Sequence, residues 1–293
     1  MGASKYLFFF NPNAGYGKAA WDFDNFLSRN PLIARNSRTV AVSGLESVVA
    51  GVQNCSAEQI IISAGGDGTA NMLAQALHVT GNLCKPFTLL PLGTGNALAH
   101  SIGIHSQDIA AHVLSEGKIR SMDVMLTDYP GKSIALISVS IGFEAILMGH
   151  REVWRKRKIL KTVFSVMGAA FSRSIRETSV VIDGQQCCWD SARYFNIGFY
   201  AQPCLAFGRR IFTSNAVACV NVRGVVSDTP IAYWCLIAKG EKRCENFQPR
   251  GIFREWSTAV IATSGAVQID GEPLDGRRIT LRHWPQAMKI MVP

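Results

Sequence analysis

No two cysteines in this sequence are spaced C-x-x-C, and no His-x-x-x-His pair stands ready to complete a zinc site. The eight cysteines, at 55, 84, 187, 188, 204, 219, 235 and 244, fall partly in apolar runs such as "AVACVNV" and "AYWCLIA". A free thiol there behaves as a small core residue, so a reducing, cytosolic compartment is expected. Long hydrophobic runs are also missing. "LFFF" near the start is too short for a signal-peptide core, and "IALISVSIGFEAILMG" carries Glu144 and falls short of the roughly 20 apolar residues a span needs. Tyr6 stands where an N-myristoylation signal wants Ser or Thr. Acidic charge is scarce: 21 Asp and Glu against 30 Lys and Arg give +9, which points to anionic partners without choosing among them. The chain shows no internal repeat, low-complexity linker or disordered bias, and 293 residues with 48% hydrophobic content are enough for one large core or two moderate ones.

What is present changes character along the chain. Up to about residue 125 the β-rich runs "KYLFFF", "RTVAVS", "QIIIS" and "FTLLPL" are followed by glycine or polar residues and then by helical patterns such as "AAWDFDNFLS", "ANMLAQAL" and "NALAHSIG". This alternation predicts βαβ units around a parallel sheet, with ligands at the carboxyl ends of the strands. Beyond Asp123 strand patterns come in succession, "SIALISVS", "ETSVVID", "ARYFNIGFY", "AVACVNVRG", "TAVIATS", "AVQID", "RITLRH" and "MKIMVP", around a long helical stretch near 144–172 and a second near 229–240. Asp183-Gly184 and Asp270-Gly271 sit between apolar strands and read as hairpin turns. The second half is therefore expected to be mainly antiparallel β.

Three glycine loops follow predicted strands and lead into helices, which puts them on one edge of the sheet. The first, "FFFNPNAGYGKAA", contains Asn11, Gly15, Gly17 and Lys18. It fits neither a dinucleotide fingerprint, since Arg35 and Arg38 stand where an acid belongs, nor a P-loop, since Pro12 and Ala19 break that pattern. Read alone, it is as consistent with a plain turn as with a phosphate cradle. The second, "SAGGDGTANMLAQA", holds Gly65, Gly66, Asp67, Gly68, Thr69 and Asn71, and the third, "LLPLGTGNALAHSIG", holds Gly93, Thr94, Gly95 and Asn96. Glycines let backbone amides approach a polyphosphate, and each helix N-terminus adds about half a positive charge. Asp67 does not belong among anion-binding amides. It implies either Mg²⁺ or a proton to be removed, or else it caps the helix that follows.

"GGDGT" at 65–69 with "PLGTGNALA" at 91–99 resembles the diacylglycerol kinase and sphingosine kinase superfamily of lipid kinases, distant relatives of NAD kinase. "NPNAGYGK", "MDVM", "SIGFEA" and "QIDGEPL" fall in that family's order. The resemblance implies a Rossmann-like, NAD kinase-type α/β domain (1–125) binding ATP and a C-terminal antiparallel β-sandwich domain (126–283) covering the cleft. It also implies that the last strand, about 284–293, returns to the first domain. Asn11, Gly65 to Thr69, Asn71 and Thr94 would contact nucleotide, Asp67 and Asp123 would serve Mg²⁺, and Asp67, Asp270 and Glu272 would be the eligible catalytic acids, with the Asp270/Glu272 pair favoured. Local sequence alone reads "QIDGEPL" as a turn, like its near copy "VVIDGQQ". Two features depart from the family's bacterial members: Ala97 replaces an Asp, and "GRRIFTSNAVACVNVRG" lacks the acids of their structural metal site.

"REVWRKRKILK", Arg151 to Lys161, gathers six basic residues beside Trp154, Ile159 and Leu160. On a helix this is either a solvated face or a surface for an anionic bilayer, each basic group near the membrane contributing about 1 kcal/mol. With the kinase resemblance it is expected to be a peripheral membrane contact; no nucleic-acid reading motif accompanies it. The sequence thus predicts a lipid kinase acting on diacylglycerol, a sphingoid base or a related lipid. Its rivals are an NAD kinase-like or other soluble small-molecule kinase, and a non-catalytic nucleotide- or lipid-binding relative.

Overall fold

The computed structural model describes residues 4–153, 178–186, 196–205, 209–210, 223–227, 233, 251–253, 256–276 and 278–293. The N-terminal half alternates as its pattern predicts: β1 Tyr6–Phe10, α1 Ala19–Arg29, α2 Pro31–Arg35, β2 Ser37–Ala41, α3 Leu45–Gln53, β3 Ile60–Gly65, α4 Asp67–Val79, β4 Phe87–Pro91, α5 Ala97–Ser101 and α6 Gln107–Glu116. Strands β2, β1, β3 and β4 lie side by side and parallel. Continuous apolar runs suit strands covered on both faces. Phe8, Phe9, Ile61, Ile62, Leu89 and Leu90 are accordingly buried, with Phe8 edge-on to Phe23 and Phe26 of α1 at centroid distances of 5.4 and 6.2 Å. The register sets Phe10 beside Ala64 and Gly65 beside Pro91, so the three strands end at one level and their loops emerge together.

The remaining strands are β5 Lys118–Thr127, β6 Ile134–Ala135, β7 Ser138–Gly142, β8 Thr178–Ile182, β9 Gln185–Gln186, β10 Asn196–Tyr200, β11 Cys204–Leu205, β12 Arg209–Arg210, β13 Arg223–Ser227, β14 Gly251–Phe253, β15 Thr258–Thr263, β16 Val267–Ile269, β17 Glu272–Leu274 and β18 Arg278–Val292, with α7 at Phe143–Val153. A second sheet, ordered β14-β13-β10-β7-β16-β17, is antiparallel throughout. Its inner face, with Val139, Ile141, Ile197, Phe199, Val267 and Ile269, packs on Val180, Ala259, Ile261, Ile279 and Leu281 of the first sheet. Of the stretch 144–172 expected to be helical, the described part is α7; the rest, the 229–240 stretch except Tyr233, and most of "GRRIFTSNAVACVNVRG" lie outside the described residues.

The two runs "RITLRH" and "MKIMVP", read from sequence as separate strands, form one strand, β18. Its first part pairs with β15, its end touches β4 at Ile290 beside Phe87, and β5 runs antiparallel along it. The pairing slips between Trp284 and Met288, where Pro285 has no amide to donate and Gln286 takes φ +54°. Asp123 fills the bulge: its Oδ1 accepts the Gln286 amide at 2.8 Å and its Oδ2 lies 2.9 Å from His283 Nε2.

Candidate active site

The three loops touch one another. Gly15, at φ +59°, packs so closely that a Cβ there would stand 2.5 Å from the Leu92 carbonyl oxygen, and a Cβ on Gly93 would stand 2.4 Å from Gly66 Cα. The amides of Leu92 and Gly93 both donate to Gly65 O. Asn11 closes the first loop on the second, its Nδ2 donating to Thr69 Oγ1 at 3.2 Å. Asn96 folds the third loop on itself, accepting from the Gly93 amide and donating to the Gly93 carbonyl. Only part of the glycine content is thus packing. Gly17 and Gly68 would meet nothing within 4 Å if given a Cβ, and Lys18, Gly68 and Thr94 are exposed along this rim.

Asp67 does cap a helix, but not the one that follows it. It opens α4, whose N-cap Gly66 has no side chain to offer, and its two carboxylate oxygens accept the amides of Ala97 and Leu98, each at 3.0 Å, at the start of α5. The carboxylate therefore fastens the second loop to the third. His100, one turn along α5, feels its charge: burial and then His105, whose Nδ1 lies 3.2 Å away, lower the His100 pKa, and Asp67 opposes them.

Asp270 arrives from the second sheet. It occupies the first central position of a two-residue turn between β16 and β17, with φ +49° there and +83° at Gly271, the type I′ geometry that Asp-Gly favours. Its carboxylate accepts the amides of Leu136, Ile137 and Ser138 at 2.7, 2.8 and 3.0 Å, and Asn71 Nδ2 donates to it at 2.6 Å. Desolvation raises its pKa, and these donors only partly offset that rise. Because Asn71 stands one helical turn after Asp67, the bond from Asn71 to Asp270 carries the second sheet's acid to the glycine loops. Two residues further on, Glu272 is more than half exposed and ion-paired with Lys132.

Asp123 is brought to a different role. At 1% exposure, both its oxygens serve the bulge of β18. Among the described residues no group of three His, Cys, Asp or Glu could hold a metal ion. A divalent ion that keeps most of its waters and leans on phosphates needs only one or two carboxylates; a carboxylate such as that of Asp67 has about four lone-pair sites to share between amides and an ion, whereas Asp270 already carries four donors.

Sequence reasoning passed over three groups. Gln75 is 3% exposed and ties α4 to the Ser133–Ile134 segment: its Oε1 accepts from Ser133 Oγ at 2.7 Å, and its Nε2 donates to the Ile134 carbonyl at 2.7 Å and to Asn71 Oδ1 at 3.4 Å. Lys132 has no motif around it. Glu144, which in sequence interrupts an apolar run and falls in "SIGFEA" with no role assigned, is buried at the start of α7. Its Oε1 accepts from Tyr200 and Tyr233 hydroxyls at 2.6 and 2.8 Å, and desolvation raises its pKa. A buried polar position in "SIGFEA" was the available signal; its tyrosine partners, 56 and 89 residues away, were not.

Residues 5–127 match the model of the diacylglycerol kinase catalytic domain. The diacylglycerol kinase fold extends over the whole molecule: a crystal structure of a diacylglycerol kinase from Bacillus anthracis superposes with a TM-score of 0.69 at 18% identity, covering 99% of this chain and 97% of that one. The chain is also 24% identical to the "Probable lipid kinase YegS-like" protein of Enterobacter sp. over 242 residues, 80% of this chain and 78% of that protein. It is 23% identical over 250 residues to the uncharacterized protein sll0036 of Synechocystis sp., again over 80% of this chain, but spans only 55% of that protein's length. No helix among the described residues is long and apolar enough to cross a membrane. Of the basic segment Arg151 to Lys161, residues 154–161 lie outside the described residues.

Proposed function

We propose that the chain is an ATP- and Mg²⁺-dependent lipid kinase that transfers the terminal phosphate to a hydroxyl of diacylglycerol, a sphingoid base or a related amphiphile. The observation that carries this reading is the 2.6 Å bond from Asn71 to Asp270, which sets an acid of the second sheet beside the glycine loops of the first. Phosphoryl transfer asks the protein for alignment, charge neutralisation and one proton acceptor. The loops and the opening turn of α4 supply amides for phosphates. Mg²⁺, arriving with the nucleotide, would neutralise developing charge; Asp67 is the carboxylate placed to steady it, with Asp123 acting only at a remove through the β18 bulge. The Asp270/Glu272 pair is the favoured proton acceptor: burial raises the Asp270 pKa, and a proton arriving there would displace one of its four donors. The basic segment from Arg151 would carry the protein to an anionic bilayer as a cytoplasmic, peripheral enzyme, and no nucleic acid enters this reading.

The experiment is incubation with γ-labelled ATP, Mg²⁺ and a panel of alcohols: diacylglycerol and sphingosine in anionic vesicles, glycerol and NAD in solution. Asp270→Asn should abolish labelling, whereas Asp183→Asn, in the matching Asp-Gly turn on the far edge of the first sheet, should leave it unchanged. Labelling confined to soluble acceptors would replace the lipid assignment, and ATP binding without transfer to any acceptor would make the protein a non-catalytic relative.

A further inference from the structure

Lys132 stands at the point where the acids of the second sheet meet solvent. The segment from Asp128 to Ser133 turns back between β5 and β6, with the Lys132 amide donating to the Tyr129 carbonyl at 3.0 Å. Gln75 clamps the next two residues, Ser133 and Ile134, to α4, and the amides of Leu136 to Ser138 hold Asp270. The lysine thus projects from the same stretch that positions Asp270. Its ammonium lies against the Glu272 carboxylate, and its side chain is only 20% exposed against 55% for Glu272.

Charge bookkeeping makes that ion pair conspicuous. A nucleoside triphosphate at the glycine loops would bring about four negative charges toward Asp67, Asp270 and Glu272, and a single divalent ion cancels only half of the incoming charge. Lys18, exposed at the start of α1, stands on the first-loop side; Lys132 stands beside Glu272, two residues along the chain from Asp270. The carboxylate half of the pair is more than half exposed, so water and salt screen its hold on the ammonium. A terminal phosphate, which carries more charge than a carboxylate and is less exposed in the cleft, competes well for it.

We propose that Lys132 is a catalytic residue that leaves Glu272 to bind the terminal phosphate of the bound triphosphate. This rests on the kinase reading above. In the transfer step a bond forms between the acceptor oxygen and the terminal phosphorus, and the bond from that phosphorus to the bridging oxygen breaks. The hydroxyl proton passes to Asp270, and the nucleoside diphosphate leaves. Lys132 keeps its protons throughout and follows the charge of the moving phosphoryl group. Glu272 receives the ammonium back when the phosphate has gone, which makes the pair a resting position for the lysine.

The test compares ATP with ADP, because only ATP presents the group Lys132 is assigned to hold. Calorimetric titration of the whole chain with each nucleotide in Mg²⁺ should show that Lys132→Met weakens ATP binding by about tenfold or more, the size of a lost charge-assisted hydrogen bond, while ADP binding stays within about twofold. Lys132→Arg should restore most of the preference for ATP. Glu272→Gln, which frees the lysine and removes a negative charge, should strengthen ATP binding relative to ADP, a sign that general damage to the fold would not produce. Equal losses for ATP and ADP, or no loss for either, would overturn this proposal and leave the kinase reading standing. Wild-type protein that binds neither nucleotide would overturn both.

Discussion

Replacing Gly68 by alanine separates a glycine needed for packing from one needed for a ligand. Gly68 lies in the first turn of α4, is exposed, and has no atom within 4 Å of the place a Cβ would take. Its φ is not positive, so alanine is unstrained there. A glycine inside a helix is less favourable than alanine by about 0.5–1 kcal/mol, and less than that in a first turn, so the ligand-free variant should be as stable as wild type or slightly more so. For a chain of this size that is a melting temperature unchanged or raised by at most about 2–4 °C. Nucleotide binding should respond in the opposite direction. A phosphate oxygen accepting an amide of this turn would lie about 2.9 Å from nitrogen, and a methyl on the adjacent Cα intrudes on that approach. Losing one or two charge-assisted hydrogen bonds, each about 1.5–3 kcal/mol, weakens binding by about tenfold to a thousandfold or more. Differential scanning fluorimetry without ligand and calorimetric titration with ATP and Mg²⁺ measure the two halves of the prediction. Gly68→Ala that melts like wild type and binds ATP as tightly would refute the argument that this turn's bare backbone serves a phosphate.

Gly93→Ala should behave differently: its methyl would stand 2.4 Å from Gly66 Cα and 2.6 Å from Asn96 Oδ1, so two backbones must part, lowering stability by about 1–3 kcal/mol in denaturant titrations even without ligand. Gln75→Leu leaves Ser133 Oγ, the Ile134 carbonyl and Asn71 Oδ1 short of a partner; it should cost about 2–4 kcal/mol and lower kcat more than it weakens ATP binding, by loosening Asp270. Glu144→Gln keeps an oxygen for both tyrosine hydroxyls and removes a titration. Because the fold raises the Glu144 pKa, the stability tied to its neutral form is complete below the unfolded value of about 4.3 and fades as pH rises through the folded value, so urea midpoints from pH 4 to 8 should fall less steeply in the variant. An identical slope in both proteins would remove Glu144 from that account.

The parallel half of the molecule was legible because its information is local. Apolar runs such as "LFFF" and "QIII", leading into polar or glycine-rich stretches, announce buried parallel strands. The segments Tyr6–Phe10, Ile60–Gly65 and Phe87–Pro91 became β1, β3 and β4 with their loops at one edge. What spacing could not show was how side chains far apart in sequence pair with one another. That Asp67 caps α5 rather than α4, that Glu144 meets Tyr200 and Tyr233, and that Gln75 reaches Ser133 are consequences of packing, which spacing does not encode. The continuity of β18 was hidden by Pro285: proline reads locally as the end of a strand, and here the interruption is absorbed by a bulge that Asp123 completes.

The two Asp-Gly turns show where local physics stops and function starts. Asp183 and Asp270 take φ +48° and +49° before glycines at +80° and +83°, and each accepts amides from a neighbouring segment. Their carboxyls nevertheless titrate in opposite directions. Asp183 is in water, and the amides of Thr258 and Ser257 lower its pKa; Asp270 is desolvated, and its pKa rises despite more donors. The sign follows from what surrounds the turn. β8 and β9 end the first sheet in solvent, whereas β16 carries its turn against β7 and toward Asn71 of α4. One dipeptide geometry therefore yields a structural staple at one edge and, where two sheets close on a helix, a desolvated acid of raised proton affinity.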